Sequence, residues 1–139
     1  MRSVFVDTAY WIAVVWHTDQ WALSARRARE ALGERARLVT TDEVLSEFLD
    51  FMGTRGSDLR RRAAQMVRAI LSNPNVGVFH QSHESFLRGL VLYEERPDKG
   101  YTLTDCISMD TMRAQGIADA LSADQHFAQE GFSVLMRKE

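Results

Sequence analysis

Four acids stand where a side chain is placed to do chemistry: Asp7, Glu47, Asp105 and Asp124. Each is a carboxylate, and a set of carboxylates brought together would bind a hard cation through oxygen. Each also has an ordinary structural role available to it. Asp7 ends the apolar run Ser3-Val4-Phe5-Val6 and immediately precedes a helical stretch, so it is either a buried acid in need of a partner or a helix N-cap. Glu47 shares a helix face with Glu43 and Asp50, an arrangement explained equally by a bound cation or by a solvated face. Asp105 falls in a first helical turn, where the macrodipole welcomes an anion and also fixes the direction of a carboxylate. Asp124, in Leu121-Ser122-Ala123-Asp124, is a second candidate N-cap.

Other acids are set aside. Thr40 and Glu43 fit a capping box, which occupies Glu43. Asp110 lies five residues beyond Asp105, about 140° around the helix, and points elsewhere. Asp119, between alanines on a strand, is read as exposed.

Competing chemistries lack their residues. His17, His80, His83 and His126 include no pair spaced i, i+4 for a metal and are read as packed or surface side chains. Glycine-rich phosphate loops, G-x-S-x-G and H-E-x-x-H are missing from the sequence. Cys106 follows Asp105, whose charge would raise the thiol pKa and weaken it as a nucleophile. Trp11, Trp16 and Trp21 are assigned to packing.

The elements that must position the acids alternate along the chain. Strands are expected at 3–6, 38–40, 76–80, 117–121 and 132–136. Helices are expected at 8–16, 21–37, 40–52, 56–71, 82–95, 105–115 (capped by Thr104) and 124–130. Such alternation predicts a three-layer α/β/α domain with a mostly parallel central sheet of about five strands, spanning residues 1–139 as a single domain. Ligands of such sheets gather beyond the carboxyl ends of the strands, and all four acids fall on strand-exit segments.

Composition sets the outer bounds. A chain 45% hydrophobic and 26% charged, with two prolines and no low-complexity tract, is that of an ordinary globule. A single cysteine excludes an internal disulfide framework, and the expected compartment is the cytoplasm. The run from Tyr10 to Trp16 falls short of the ~20 residues of a spanning helix, and Asp7 interrupts any signal-peptide core, so no membrane association is expected. The net charge of -2 argues against holding nucleic acid by bulk electrostatics. Arginines nonetheless cluster at 26–37 and at Arg55, Arg60, Arg61, Arg62 and Arg68, as solvated helix faces or as a basic rim beside an acidic pocket.

Four stretches carry a family resemblance: Val4-Phe5-Val6-Asp7-Thr8-Ala9, Thr40-Thr41-Asp42-Glu43-Val44-Leu45-Ser46-Glu47, Leu103-Thr104-Asp105-Cys106-Ile107-Ser108, and Ala120-Leu121-Ser122-Ala123-Asp124-Gln125-His126-Phe127. In this order and spacing the chain resembles the PIN-domain ribonucleases, in particular the VapC-type toxins of bacterial VapBC toxin–antitoxin pairs. Ser122 stands where those toxins usually carry threonine, which keeps the hydroxyl.

The resemblance implies a Mg²⁺- or Mn²⁺-dependent endoribonuclease. It places the catalytic and metal-binding roles on Asp7, Glu47, Asp105 and Asp124, with Asp124 at the most variable of the four positions. A cation would offset the repulsion of clustered acids and activate water for attack on a phosphodiester. No histidine or lysine is assigned a role beside it, so the metal is expected to supply much of what a general base would. Arg60, Arg61 and Arg62 would grip flanking phosphates of the RNA.

The implied partners are an RNA substrate and a cognate antitoxin. The apolar stretch Val44 to Met52, with Met66, Val67, Ile70 and Leu71 on the next helix, would leave a groove for an antitoxin helix, pack on the sheet, or form a homodimer. The alternative functions are a stand-alone PIN-fold nuclease and a non-catalytic RNA-binding or scaffold protein. A receiver-like phosphoacceptor ranks below both, because it needs a late-strand lysine and the only lysines, Lys99 and Lys138, stand in unsuitable contexts.

Overall fold

A computed structural model describes residues 2–138. The chain forms β1 (Ser3–Val6), α1 (Thr8–Val15), α2 (Ala22–Leu32), β2 (Arg37–Thr41), α3 (Asp42–Gly53) and α4 (Ser57–Ser72). It continues as β3 (Val76–Phe79), α5 (His83–Glu95), α6 (Leu103–Ala114), β4 (Asp119–Leu121), α7 (Gln125–Gln129) and β5 (Ser133–Val134). The five strands lie in the order β3-β2-β1-β4-β5, and every neighbouring pair is parallel.

Hydrophobic runs too short for helices become the central strands. Val4, Phe5 and Val6 are fully buried, as a strand covered on both faces requires. In register, Phe5 stands beside Val39 on one side and Ala120 on the other. Phe5, Phe48, Phe127, Met52, Met109 and Met112 are among the largest side chains wholly removed from water. The α5–α6 pair is drawn close at Gly89, where an added Cβ would collide with the Ile107 side chain.

The chain runs outward from β1 to β2 and β3, then returns to place β4 on the opposite side of β1. The sheet therefore reverses its winding between β1 and β4. The carboxyl ends of those two strands form the crevice where such sheets bind ligands.

Several boundaries differ from the expectation, each for a local reason. α2 stops at Leu32 because Gly33, at φ 75°, turns the chain out of the helix, and Arg37 opens β2. Thr41, not Thr40, caps α3 by accepting from the Val44 amide. Thr40 lies on β2 and donates its hydroxyl to the Val6 carbonyl at 2.9 Å. Glu43 therefore has no box partner in Thr40. α6 starts earlier than expected, capped by Thr102 rather than Thr104.

The apolar face of α3 is spent inside the domain. Val44, Leu45, Phe48 and Met52 are buried by packing within the domain, while Leu49 and Phe51 are half-buried and Leu71 on α4 is exposed. Among the described residues the exposed large apolar side chains are Leu23, Leu71 and Phe79, with Phe86, Leu87, Val91 and Tyr93 on α5. No helix among them is long and apolar enough to cross a membrane.

Candidate active site

Asp7 leaves β1 at the sheet's reversal point, held by its backbone amide on the Leu121 carbonyl at the end of β4. It occupies the N-cap position of α1, yet its side chain makes no cap hydrogen bond. Its Oδ2 instead accepts from the buried Ser122 hydroxyl at 2.8 Å. Ser122 Oγ in turn accepts from the Asp124 amide at 3.1 Å. One hydroxyl thus joins the exits of the two strands.

Asp7 is buried, and that desolvation pushes its carboxyl up to about 7. The hydrogen bonds from Ser122 and the Thr8 backbone pull it down, while the charges of Asp105 and Glu47 push it further up. Those last two effects show that three of the four acids share one electrostatic neighbourhood. Glu47, exposed on α3, accepts a hydrogen bond from the Thr8 hydroxyl. It is thereby anchored to the first turn of α1, next to Asp7.

Asp105 is the N3 residue of α6 and makes a reciprocal capping box with Thr102. Its amide donates to the Thr102 hydroxyl at 3.0 Å, and its Oδ2 accepts the Thr102 amide at 3.1 Å. Capping and functional roles are compatible here, because the box fixes the carboxylate's direction. Asp124 caps α7, with Oδ1 accepting from the His126 amide at 2.9 Å. All four acids therefore lie on the crevice side of the sheet, each held by a hydroxyl or an amide.

His126 was expected to be a packed or surface side chain; it belongs to this cluster. Its Nδ1 lies 3.2 Å from Asp105 Oδ2 and 3.4 Å from Asp124 Oδ1. Asp105, Asp124 and His126 each offer one ligand atom within 4.8 Å of the others. An i, i+4 search misses it because its partner Asp105 comes from another helix. The legible signal was its place two residues beyond a candidate cap acid, inside a stretch already singled out.

Behind His126 stands a rigid polar block. The Tyr101 ring packs on the imidazole with centroids 5.2 Å apart. The Tyr101 hydroxyl donates to Glu130, which is also gripped by Arg96 and Arg113. The Arg96 hydrogen bond does most to hold the Glu130 carboxyl down at about 2, against its burial, with Arg113 and Tyr101 adding to it.

The donor set fits a divalent cation. Among the described residues no lysine or arginine pairs with Asp7, Glu47, Asp105 or Asp124. Burial does most to raise the Asp7 carboxyl and the charges of Asp105 and Glu47 add to it, while hard oxygen donors of this kind are what Mg²⁺ and Mn²⁺ take. Ser108, one turn beyond Asp105 and on its side of α6, buries a hydroxyl with no hydrogen-bond partner among the described residues.

The remaining sequence expectations divide. Asp110 is engaged by Arg88 at 2.9 Å, outside the cluster, as its helical angle required. Asp119 is half-buried and tied to Arg2 rather than freely exposed. Burial, with the Asp105 charge, pushes the Cys106 thiol up to about 11, which removes it as a nucleophile. Trp11 is buried, and Trp16 and Trp21 pack on the core.

Two of the arginines expected to hold phosphate are engaged within the fold. Arg62 donates to the Val15 carbonyl at 2.9 Å and Arg60 to the Gly53 carbonyl at 3.2 Å. A cavity of about 470 Å³ between α1 and α2, lined in part by Tyr10, His17, Arg26 and Arg29, contains none of the four acids.

Comparison with known proteins identifies the family and the fold. The PIN domain family profile matches residues 4–132. Among solved structures, the VapC20 toxin of Mycobacterium tuberculosis, described as cleaving the sarcin-ricin loop, superposes with a TM-score of 0.82 at 24% sequence identity. That match covers 93% of this chain and 95% of the other, and it establishes likeness of fold. No curated protein matches the chain in sequence.

Proposed function

The chain belongs to the PIN-domain family, and from that premise we propose that it is a metal-dependent endoribonuclease, the toxin of a toxin–antitoxin pair. The observation that carries this reading is that Asp105 and Glu47 act on the buried Asp7 carboxyl at the β1–β4 crevice, with no lysine or arginine among the described residues paired to any of the three. We assign Asp7, Glu47, Asp105 and Asp124 as the catalytic and metal-binding set, in a domain that spans residues 1–139.

Mg²⁺ or Mn²⁺, when bound, would offset the charge of the acids and lower the pKa of a water for attack on a phosphodiester. The protein's own part is positional. Ser122 and Thr102 fix the carboxylate directions of Asp7 and Asp105, and Thr8 ties Glu47 to the helix that starts at Asp7. Because each orienting group sits on a strand exit or a helix start, the set is held by rigid elements rather than by a loop.

RNA is the substrate this reading requires. The likeness to a toxin described as cleaving the sarcin-ricin loop makes structured RNA a class to test. The same reading supplies a cognate antitoxin as partner and the cytoplasm as compartment. The apolar residues exposed on α5 favour a homodimer.

The decisive experiment incubates the purified chain with single-stranded and stem-loop RNA in Mg²⁺, in Mn²⁺ and in excess EDTA. Cleavage with either ion, lost in EDTA and in Asp7→Asn and Asp105→Asn, supports the assignment. Cleavage that persists in EDTA overturns it. RNA binding without cleavage under every condition would identify a scaffold built on the same fold. Co-expression with the product of the upstream gene tests the toxin reading, because an antitoxin would co-purify and suppress cleavage.

A further inference from the structure

This inference rests on the metal-dependent reading above and concerns what the centre is made of. We propose that His126 Nδ1 is a ligand of the cation together with Asp105 and Asp124, so that the centre is a mixed nitrogen–oxygen site that favours Mn²⁺ over Mg²⁺.

The distances carry the argument. Ligand atoms about 2.1 Å from a shared ion stand roughly 3.0–3.4 Å apart when they are neighbours in octahedral or tetrahedral geometry. The imidazole nitrogen lies 3.2 Å from one carboxylate oxygen and 3.4 Å from the other. A histidine–carboxylate hydrogen bond accounts for the Asp105 contact, and the α7 cap brings Asp124 Oδ1 to the same nitrogen, so two carboxylates converge on Nδ1. Nδ1 carries at most one proton, and it faces two acceptors from different helices. A cation shared by the three groups suits both nitrogen–oxygen separations, and the three ligand atoms all lie within 4.8 Å of one another.

The surroundings hold the nitrogen in that direction. The backbone of His126 is fixed by its amide on Asp124 Oδ1, so ring and cap acid move as a unit. The Tyr101 ring packs against the imidazole with centroids 5.2 Å apart, and its own position is set by the hydroxyl on Glu130, which Arg96 and Arg113 also hold. Tyr101 also directly precedes Thr102, whose amide orients Asp105. One block thus orients both the imidazole and its partner carboxylate.

The choice of ion follows from the ligand. Mg²⁺ takes oxygen and keeps its waters, whereas imidazole binds first-row transition ions more readily. A nitrogen at this position adds affinity for Mn²⁺ that Mg²⁺ does not gain.

The test reads metal binding without RNA. Electron-nuclear double resonance on the Mn²⁺-loaded full chain should show a directly bound nitrogen, which changes isotope when histidine is ¹⁵N-labelled and disappears in His126→Ala. Calorimetry at constant pH should find Mn²⁺ binding weakened about 10–100-fold in His126→Ala and Mg²⁺ binding changed by less than about 3-fold. Mn²⁺ that binds, is lost in Asp105→Asn and shows no nitrogen coupling overturns the proposal. So does an equal loss of Mn²⁺ and Mg²⁺ affinity, which would leave His126 orienting Asp105 only, or a chain that binds no Mn²⁺. Nitrogen coupling in a protein that cuts no RNA would uphold the ligand assignment while the nuclease reading failed.

Discussion

The Ser122 hydroxyl donates to Asp7 Oδ2 at 2.8 Å across 115 residues of chain. Ser122 Oγ also accepts from the Asp124 amide, so one buried side chain sets the relation between the first and fourth acids. Ser122→Ala should raise the Asp7 carboxyl further, because this bond lowers it, and should leave the Asp124 amide short of a partner. The expected cost is about 1–3 kcal/mol of stability and a 10–100-fold fall in RNA cleavage, of the order seen when groups that orient metal ligands are removed. Ser122→Thr should retain most activity. Cleavage rates and urea midpoints for both variants check this, and a Ser122→Ala enzyme of normal rate would reduce the hydroxyl to a packing role.

Asp7 makes the metal-free protein pH-sensitive. Its carboxyl titrates near 7 in the fold against an ordinary 3.8, with burial the largest cause. Between those values the folded state keeps a proton that the unfolded state releases. Stability in EDTA should therefore fall as pH rises from about 4 to about 7 and then level off. Asp7→Asn removes this slope and should be the more stable protein at pH 8, by roughly 4 kcal/mol at most. Denaturation at pH 5 and pH 8 measures it. A wild-type midpoint that rises over this range while the Asn variant stays flat would contradict the burial argument.

Glu130 works with the opposite sign. Arg96 leads in holding its carboxyl at about 2, against an ordinary 4.5, so its stabilisation is present above 4.5 and lost as pH falls through about 2. Glu130→Gln should cost about 1–3 kcal/mol at neutral pH, kept modest by the solvent exposure of both arginines. It should cost much less at pH 2. Thermal unfolding at the two pH values separates these outcomes.

The arginines of α4 do not act as one group. Arg62 satisfies the Val15 carbonyl at the end of α1, and Arg62→Ala should lower stability by about 1–2 kcal/mol. Arg61→Ala, on an exposed position, should leave the melting temperature unchanged and is the cleaner probe of phosphate contact. If it also leaves the salt dependence of RNA binding unchanged, this face is a solvated surface.

The order of strands and helices was legible because local rules encode it. Three apolar residues, Val4, Phe5 and Val6, ending in an acid are too few for a helix of useful length, and the repeated alternation left a parallel sheet as the consistent answer. The positions of Asp7, Glu47, Asp105 and Asp124 beyond strands or at helix starts followed from the same pattern. Cap choice was less legible: Thr40 and Thr41 both offer a hydroxyl, and only the pairing of β2 with β1 turns Thr40 toward the Val6 carbonyl.

What only the tertiary structure decided is which side chains meet. The β1–β4 pairing brings Ser122 to Asp7, and the docking of α7 against α6 brings His126 to Asp105. Neither contact leaves a periodic trace in the sequence, since its two halves lie far apart along the chain. The burial of α3 and the ties of Arg60 and Arg62 were hidden for the same reason. A helix's residues announce that it has an apolar or basic face, whereas the neighbour that covers that face is set by the packing of the whole domain.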